Sequence, residues 1–392
     1  NWDDKVTKFL PDFKMYDDCV TKDITIKDLV THRAGLGLGQ GDLMFFPEGG
    51  NLTVNDIIHN VRYLKPKNSY RNTLDYNNIM FIVAGEVIHR VSGLTWAEFI
   101  EQKIMQPVGM TSSYGSYNRA KAANVDNIID AHAPVDGKVV AVPHDWNETG
   151  NAAGGIISNI KDMNIWAEFL MNGFTTKDGK KLVTDKQIFQ LWNLQIATPV
   201  ALKNPYDSNF NGYGLGWFLT DVKGHKQVYH TGGLIGTVTQ FTLIPDMKLG
   251  IVVLTNQQSG AAFSVITNTI KDAYLGLEDR NWLKNFSERM AKVNAKYDKE
   301  KLDVFTKSEA FKKEKKSQIK SEQITGTYTD LWFGDVTIAL EGKTLRLSCV
   351  NSPRLKGELI PYSPNVMVIK WDDRSYDADA FVNFQMDENG KA

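Results

Sequence analysis

Two short groups of polar residues, about 150 positions apart, carry side chains that could take part in an acyl transfer. Tyr76-Asn77-Asn78 places a phenol and two amides just before a predicted helix, where a tight turn can aim side chains into a cleft. His230-Thr231-Gly232-Gly233 ends a predicted strand, and paired glycines let a backbone approach a ligand closely. Each group also has a structural interpretation: a capped helix start for the first, and a strand end with a glycine bulge for the second.

An acyl transfer also needs a nucleophile, and the sequence offers no convincing one. There is no Gly-x-Ser-x-Gly motif, which argues against an α/β-hydrolase. There is no His-Glu-x-x-His or clustered cysteine pattern, so neither a metal nor another cofactor is implied. Two Ser-x-x-Lys strings occur, at residues 158–161 and 317–320.

The composition predicts a globular chain without a strong electrostatic field. Its 392 residues, 42% of them hydrophobic, can bury a large core. Lysine plus arginine (45) nearly balances aspartate plus glutamate (46), so no nucleic-acid partner is expected. No run approaches the roughly 20 apolar residues of a membrane span, and residues 1–5 do not form a signal peptide. Cys19 and Cys349 lie far apart in sequence and are predicted to be free structural thiols.

The elements that must position these residues are helices followed by a run of strands. Residues 79–88 have apolar side chains at helical spacing, and Gly93 is a suitable stop. Thr95 is a candidate N-cap for a second helix that ends near residue 104. This segregation predicts an α+β domain over residues 1–277, with helices flanking an antiparallel sheet rather than a doubly wound parallel one. Strands are predicted at residues 212–220, 227–230, 237–244 and 249–255.

The rest of the chain divides into a charged stretch and a run of short strands. Residues 278–322 interleave lysine and glutamate around a narrow apolar stripe, which favours an exposed helical linker over a basic partner-binding helix. Residues 323–392 alternate like strands and predict a small all-β, barrel-like domain. We expect both ends of the chain to be cut, since the hairpin signal at residues 389–390 has no returning strand.

Three further segments, taken with the two polar groups, give the chain a family resemblance. Residues 24–36 are close to a stretch that the family reads as leucine-leucine-threonine-histidine-threonine-serine-glycine-leucine, and residues 153–158 and 212–217 match two more of its motifs. In this order the five segments resemble the serine β-lactamase and D-alanyl-D-alanine carboxypeptidase superfamily. The resemblance lies in its class C-like branch, which also holds esterases and D-amino-acid peptidases, and it covers roughly residues 1–275.

The resemblance implies a role for each matching residue. Tyr76 would be the general base or proton relay, and Asn78 would hold the substrate amide. His230 stands where the family has Lys or His, and would relay protons and bind a substrate carboxylate with Thr231. In the pair Gly232-Gly233, the second backbone amide would be one of two oxyanion donors. Because tyrosine has a pKa near 10, Tyr76 needs a cation beside it, and the expected one is the lysine of the family's Ser-x-x-Lys motif.

That Ser-x-x-Lys motif is missing from the place where the family carries it. In the family it precedes the segment matched by residues 2–6, so we expect it upstream of Asn1, on a longer precursor or on a separate, complementary chain. The string Ser158-Asn159-Ile160-Lys161 follows Tyr76 instead of preceding it, and Ser317-Gln318-Ile319-Lys320 lies in the charged linker. Neither is expected to be the nucleophile.

These observations predict a serine hydrolase that forms an acyl-enzyme with a small-molecule or peptide amide or ester. It would be a peptidase, an esterase or a β-lactamase-like enzyme, and His230 favours the first two because a neutral imidazole grips a carboxylate less firmly than an ammonium. The C-terminal strands resemble the lipocalin-like modules appended to some members of the superfamily, and the resemblance implies a bacterial periplasmic or secreted location. The alternative is a non-catalytic ligand-binding member of the same fold.

Overall fold

Helices occupy much of the chain before residue 192, and a computed structural model describes residues 1–144, 148–314, 319–376 and 378–392. Short 3₁₀ turns separate several of the helices. In chain order the helices are α1 (Asp18–Asp23), α2 (Ile26–Leu29), α3 (Val54–Asn60), α4 (Asn78–Ser92), α5 (Trp96–Ile100), α6 (Gln106–Val108), α7 (Tyr117–Ala122), α8 (Asn151–Gly154), α9 (Ile160–Met171), α10 (Asp185–Leu191), α11 (Gly260–Tyr274), α12 (Trp282–Phe311) and α13 (Ser321–Ile324).

The strands of the described ranges form a hairpin and two six-stranded antiparallel sheets, which confirms the predicted α+β class. The hairpin pairs β1 (Ala131–Val135) with β2 (Lys138–Val142). The first large sheet follows chain order and comprises β3 (Ile196–Ala197), β4 (Asn211–Tyr213), β5 (Phe218–Val222), β6 (His225–Leu234), β7 (Thr237–Ile244) and β8 (Leu249–Leu254). The second is a meander of β9 (Gly326–Asp330), β10 (Gly334–Glu341), β11 (Thr344–Cys349), β12 (Lys356–Ser363), β13 (Val366–Trp371) and β14 (Ala380–Asn383).

Helix α4 starts and stops where its sequence signals predict. The Asn77 side chain accepts a hydrogen bond from the Met80 amide, and Gly93 ends the helix in the left-handed conformation with φ 72°. Thr95 forms a capping box with Glu98 at the start of α5. Each such cap stabilises its helix by about 1 kcal/mol. The second predicted helix is shorter than expected, because a π-helical turn takes over at Glu101–Met105.

One glycine of α4 allows a close helix contact. A β-carbon at Gly85 would lie 2.4 Å from the β-carbon of Ala152 on α8, closer than two carbon atoms can pack. The missing side chain therefore lets α8 lie against the middle of α4.

The first large sheet is covered by helices on both faces. On one face α9 packs Ala167 and Leu170 against buried residues such as Val228 and Leu243, and on the other α11 adds Phe263 and Ile270 to a cluster containing Ile251. The strand predicted over residues 212–220 is interrupted, because the chain turns between β4 and β5 at Gly216, which has φ 80°. Strand β6 is longer than predicted and carries the whole of residues 230–233.

The C-terminal sheet is joined to the first domain by α12. The middle of this helix, residues 287–300, is exposed, while near its end Ser308 is buried and donates to the Pro361 carbonyl oxygen of β12 at 2.5 Å. The turn between β9 and β10 also contacts the first domain directly, since the Asn60 side chain donates to the Trp332 carbonyl oxygen at 2.9 Å. The apolar face of the sheet has its own core, which includes Ile338, Leu347 and Ile369.

Both cysteines are free thiols, with Cys19 exposed and Cys349 buried. Over the parts of the chain that the structure describes, no single helix is long and apolar enough to cross a membrane. Helix α4 and residues 96–108 reach the required length and hydropathy only together, as a pair bent by 74°.

Candidate active site

A cavity of about 260 Å³ lies between the α4–α5 region, α8 and the first large sheet. The segment before α4 supplies Tyr76, α4 supplies Asn78, and β6 supplies His230, so the structure brings these three predicted site residues to one pocket. The Tyr76 and His230 rings lie 6.0 Å apart, measured between their centroids. The remaining lining residues are mostly apolar or small: Phe81, Trp96, Ala152, Ala153, Gly154, Ile156, Tyr213 and Gly216.

His230 makes hydrogen bonds through both ring nitrogens. Its Nδ1 lies 2.7 Å from the Thr231 carbonyl oxygen, and its Nε2 lies 3.1 Å from the hydroxyl oxygen of Tyr213 on β4. Since a carbonyl oxygen can only accept, Nδ1 carries the hydrogen, and Nε2 of the neutral ring accepts the hydroxyl hydrogen of Tyr213. Burial lowers the pKa of His230, which favours this neutral form.

A second histidine continues the hydrogen-bonded chain behind the pocket. His32 is buried in the left-handed conformation, with φ 53°, and its ring lies 4.1 Å from that of Tyr76. The Asn77 amide donates to Nδ1 of His32 at 3.0 Å, so the hydrogen sits on Nε2, which donates to the Tyr213 hydroxyl at 3.2 Å. We call the connected residues His32, Tyr213 and His230 the histidine–tyrosine chain.

Burial keeps every residue of the histidine–tyrosine chain uncharged. It lowers the pKa of His32 to about 3, and the nearby His230 adds to the effect. Burial also raises the pKa of Tyr213 well above 10, with a further contribution from Tyr76. The pKa of Tyr76 itself is raised, first by burial and then by the Asp42 carboxyl group. At neutral pH the two imidazoles and the two phenols are therefore all neutral.

Asn78 is held by a carboxyl group that sequence analysis did not single out. Its amide donates to Oδ2 of Asp42 at 2.9 Å. The other oxygen, Oδ1, is buried and has no hydrogen-bond partner among the described residues. Burial raises the pKa of Asp42 to about 6, although the Asn78 hydrogen bond acts in the opposite direction. A buried, half-satisfied carboxyl group is costly, and a cation or donor beside Oδ1 would stabilise it.

The three residues that follow His230 continue along β6 and do not line the cavity. Thr231 is half-buried and pairs with Gln240 on β7, and the two glycines are exposed. A β-carbon at Gly232 would lie 2.5 Å from Thr239 Oγ1 on the neighbouring strand, so a larger residue at this position would require the Thr239 side chain to move. A β-carbon at Gly233 would meet open space, with no heavy atom of the described residues within 4 Å beyond the glycine itself and its two chain neighbours.

The Ser-x-x-Lys string at residues 158–161, which the structure describes in full, does not line this pocket. Ser158 shares a 2.8 Å hydrogen bond with Ser113, which in turn donates to Asp162 at 2.7 Å, and Ser158 is not among the residues that line the cavity. The second string begins at residues 317 and 318, which lie outside the described residues. Among the residues that are described, no group of three or more His, Cys, Asp or Glu side chains could hold a metal ion.

Sequence analysis missed three residues of this site: His32, Tyr213 and Asp42. The first two lie inside segments that carried the family resemblance, residues 24–36 and 212–217, so the signal was present without a role attached to it. Asp42 lies in no matched segment, and only the fold brings it to Asn78.

Known proteins with related sequences include hydrolases. The chain is 28% identical over 264 residues to the unguisins hydrolase ungD' of Aspergillus campestris, a match that covers 65% of this chain and 47% of that protein. It is 24% identical over 261 residues to protein flp of Staphylococcus aureus, covering 66% and 48% respectively. The chain thus spans about half the length of the curated relatives it matches.

Solved structures share the fold at low sequence identity. The octameric penicillin-binding protein homologue from Pyrococcus abyssi has a TM-score of 0.58 and 20% identity, over 98% of this chain and 79% of that one. A D-stereospecific amidohydrolase from Streptomyces has a TM-score of 0.55 and 18% identity, over 71% and 80%. A class C β-lactamase has a TM-score of 0.51 and 18% identity, over 72% and 76%.

Two family models together match nearly the whole chain. A domain of unknown function, DUF3471, matches residues 312–392, which include the C-terminal sheet. The Beta-lactamase description matches residues 1–274, well over half of the 392 residues, and so confirms the superfamily resemblance. The chain therefore belongs to the Beta-lactamase family.

Proposed function

We propose that this chain forms most of the active site of a serine hydrolase, which acts through an acyl-enzyme on an amide or ester. The observation that carries the proposal is that Tyr76 and Asn78 meet His230, from a segment about 150 residues away, at one pocket. The hydrolase and amidohydrolase names of the related proteins support it.

The nucleophile of this proposal is a serine supplied from outside residues 1–392. Of the described residues that line the pocket, none is serine, threonine or cysteine. The phenol of Tyr76 lies at the pocket and would be within reach of a serine introduced there.

A lysine accompanying that serine would also have two favourable effects on the described residues, one on Asp42 and one on Tyr76. Oδ1 of Asp42 has no partner among them, and the pKa of Tyr76 is raised, first by burial and second by Asp42. An ammonium group between the two would pair with the carboxylate and favour the phenolate. It would thereby turn a neutral phenol into a usable base.

In the proposed reaction the serine oxygen attacks the carbonyl carbon of the substrate, and its proton passes towards Tyr76. The tetrahedral oxyanion would be stabilised by backbone amides, one of them the Gly233 amide that follows from the family resemblance. Collapse breaks the bond to the amine or alcohol, which leaves with a proton relayed by Tyr76. Water then attacks the acyl-serine, gives the acid product and restores the hydroxyl group. Asn78 would hold the amide of the substrate.

Fluorophosphonate labelling followed by intact mass measurement tests the proposal. The 392-residue chain is compared with the product of the complete natural reading frame. We expect a single adduct on the form that contains an upstream Ser-x-x-Lys and none on the 392-residue chain. An adduct on Ser158 of the shorter chain would contradict the external nucleophile. A complete form that takes up no label would favour a non-catalytic ligand-binding protein.

Tyr76→Phe, made in the form that takes up the label, tests the assigned proton relay. It should slow labelling about 10²- to 10⁴-fold, the usual contribution of general acid–base catalysis. Tyr229→Phe is the matched control, because Tyr229 is also partly buried and precedes His230 on β6 but does not line the pocket. Equal labelling rates for the two variants would remove Tyr76 from the mechanism.

A further inference from the structure

The histidine–tyrosine chain is closed at both ends by the backbone. It begins at the Asn77 amide, which can only donate, and ends at the Thr231 carbonyl oxygen, which can only accept. Every hydrogen between these ends therefore has one direction, from His32 through Tyr213 to His230. Both nitrogens of each imidazole are occupied, so His230 has no free N–H to offer a ligand in this arrangement.

A positive charge on His230 would break this order. An extra proton on Nε2 would face the hydroxyl hydrogen of Tyr213, which would have to turn away from His230 while the hydroxyl oxygen still accepts from His32. The titratable groups that face His230 are Tyr213 and Tyr76, with His32 behind Tyr213, and none of them carries negative charge at neutral pH. Among the residues that the structure describes, no neighbouring anion therefore compensates an imidazolium at this position.

The rest of the described pocket offers an anionic ligand no attraction. None of its lining residues is lysine or arginine. The nearby carboxyl group is that of Asp42, on the Asn78 side, and the lysine proposed above would be balanced by it. A carboxylate entering at His230 would lose its hydration without gaining a cation or a free donor from that ring.

We propose that this site takes uncharged acyl substrates, esters and amides without a carboxylate beside the scissile carbonyl, and that His32 is the positioning residue that keeps His230 neutral through Tyr213. The substrate class rests on the proposed function, whereas the state of His230 does not. This proposal replaces the role of carboxylate binding that family resemblance implies for His230.

Nitrogen-15 NMR of the ring nitrogens in the 392-residue chain tests the positioning. In the wild type, His230 should show a hydrogen-bearing Nδ1 and an accepting Nε2 from pH 8 down to about 6, near the ordinary histidine pKa. Tyr213→Phe and His32→Asn should both let His230 take up a proton at higher pH than in the wild type, although His32 does not touch it. Asparagine suits the left-handed backbone at position 32. Tyr229→Phe should leave the spectrum unchanged.

An imidazolium signal from His230 in the wild type at pH 7, or a protonated Nε2 with an accepting Nδ1, would overturn the positioning. So would an unchanged His230 titration in Tyr213→Phe, which removes a single oxygen atom and is the variant least expected to disturb folding. None of these measurements depends on turnover, so a failed fluorophosphonate experiment leaves this result interpretable.

Matched ligands test the substrate class. Both enantiomers of N-acetylalaninamide and N-acetylalanine are titrated into the 392-residue chain at pH 7, with the His230 resonances as the readout. The amide should bind about tenfold more tightly than the carboxylate, the effect of one unfavourable desolvated contact. Tyr213→Phe should narrow that ratio and Tyr229→Phe should preserve it. Equal or tighter binding of the carboxylate, an unchanged ratio in Tyr213→Phe, or no binding of the amide would each overturn the assigned substrate class.

Discussion

Two buried polar networks lie close together in the first domain, and they differ in charge. The first, which we call the Asp28 cluster, joins the fully buried Asp28 to Arg33 at 3.0 Å and to Arg71 at 2.6 Å, with further hydrogen bonds from Tyr70 and Thr25. The second is the histidine–tyrosine chain, whose first residue is only four positions further along the sequence. The first network is centred on ionised groups, whereas the second contains only neutral ones.

The two networks respond to burial in different ways, as the pKa shifts of Asp28 and His32 show. Burial pushes the pKa of Asp28 up, but hydrogen bonds from Arg71 and Thr25 outweigh it and hold the pKa well below its usual range. In the described part of the chain His32 has no opposite charge beside it, so burial lowers its pKa to about 3 and the ring stays neutral. The ion pairs of the Asp28 cluster connect the α2 region to the segment before α4. The two imidazoles have no charged partner, and they therefore leave this side of the pocket neutral.

The largest expected effect comes from breaking the charged network. Asp28→Ala should lower the free energy of unfolding by about 3–5 kcal/mol, because it leaves two guanidinium groups without their buried partner. Urea denaturation measures this loss. Asp3→Ala is the control, since Asp3 is exposed and its 2.7 Å contact with Lys27 is a surface ion pair of little consequence. Similar losses in the two variants would show that the Asp28 cluster is not a buried network.

The pH dependence of stability separates the two networks. The folded pKa of His32, about 3, lies below the unfolded value of 6.5, so its stabilisation is complete above pH 6.5 and is lost as the pH falls. The loss is about 1.4 kcal/mol per pH unit. Asp42 acts in the opposite direction, because its raised pKa stabilises the fold as the pH falls towards 4. The quantity to compare is therefore the difference between wild type and variant.

His32→Asn should make the unfolding free energy less sensitive to pH between 7 and 5 by about 1 kcal/mol per unit. Asp28 does not interfere in this window, because its lowered pKa causes stability to be lost only below the unfolded value near 4. Urea denaturation at pH 7, 6 and 5 provides the slopes. Parallel slopes for the wild type and the variant would mean that His32 does not carry the lowered pKa.

The smallest loss of stability is expected when the Tyr213 hydroxyl group, which joins the two imidazoles, is removed. Tyr213→Phe should lower the free energy of unfolding at pH 7 by about 1–2 kcal/mol, the usual cost of losing neutral hydrogen bonds. The same urea measurement at pH 7 applies, with Tyr229→Phe as the matched loss of a hydroxyl group. If Tyr213→Phe lowered the free energy of unfolding as much as Asp28→Ala does, the histidine–tyrosine chain would not contribute less to stability than the ion pairs.

Local signals were enough to predict much of the helical framework. The Asn77 cap, the Gly93 stop and the Thr95 capping box each act on a residue no more than four positions away, so the sequence contains all the information that they need. The strand over residues 212–220 was predicted as continuous, because the turn at Gly216 depends on pairing between β4 and β5. The alternation of apolar and polar residues along one strand does not specify how that strand pairs with another.

Within the site, the sequence by itself determined which groups could do chemistry: the phenol of Tyr76, the amide of Asn78 and the imidazole of His230, each in a recognisable motif. Only the tertiary structure decided their states. His32 and Tyr213 are 181 positions apart, and Asp42 and Asn78 are 36 apart. Burial and hydrogen-bond direction at those contacts determine protonation, and both arise only when distant segments are packed together.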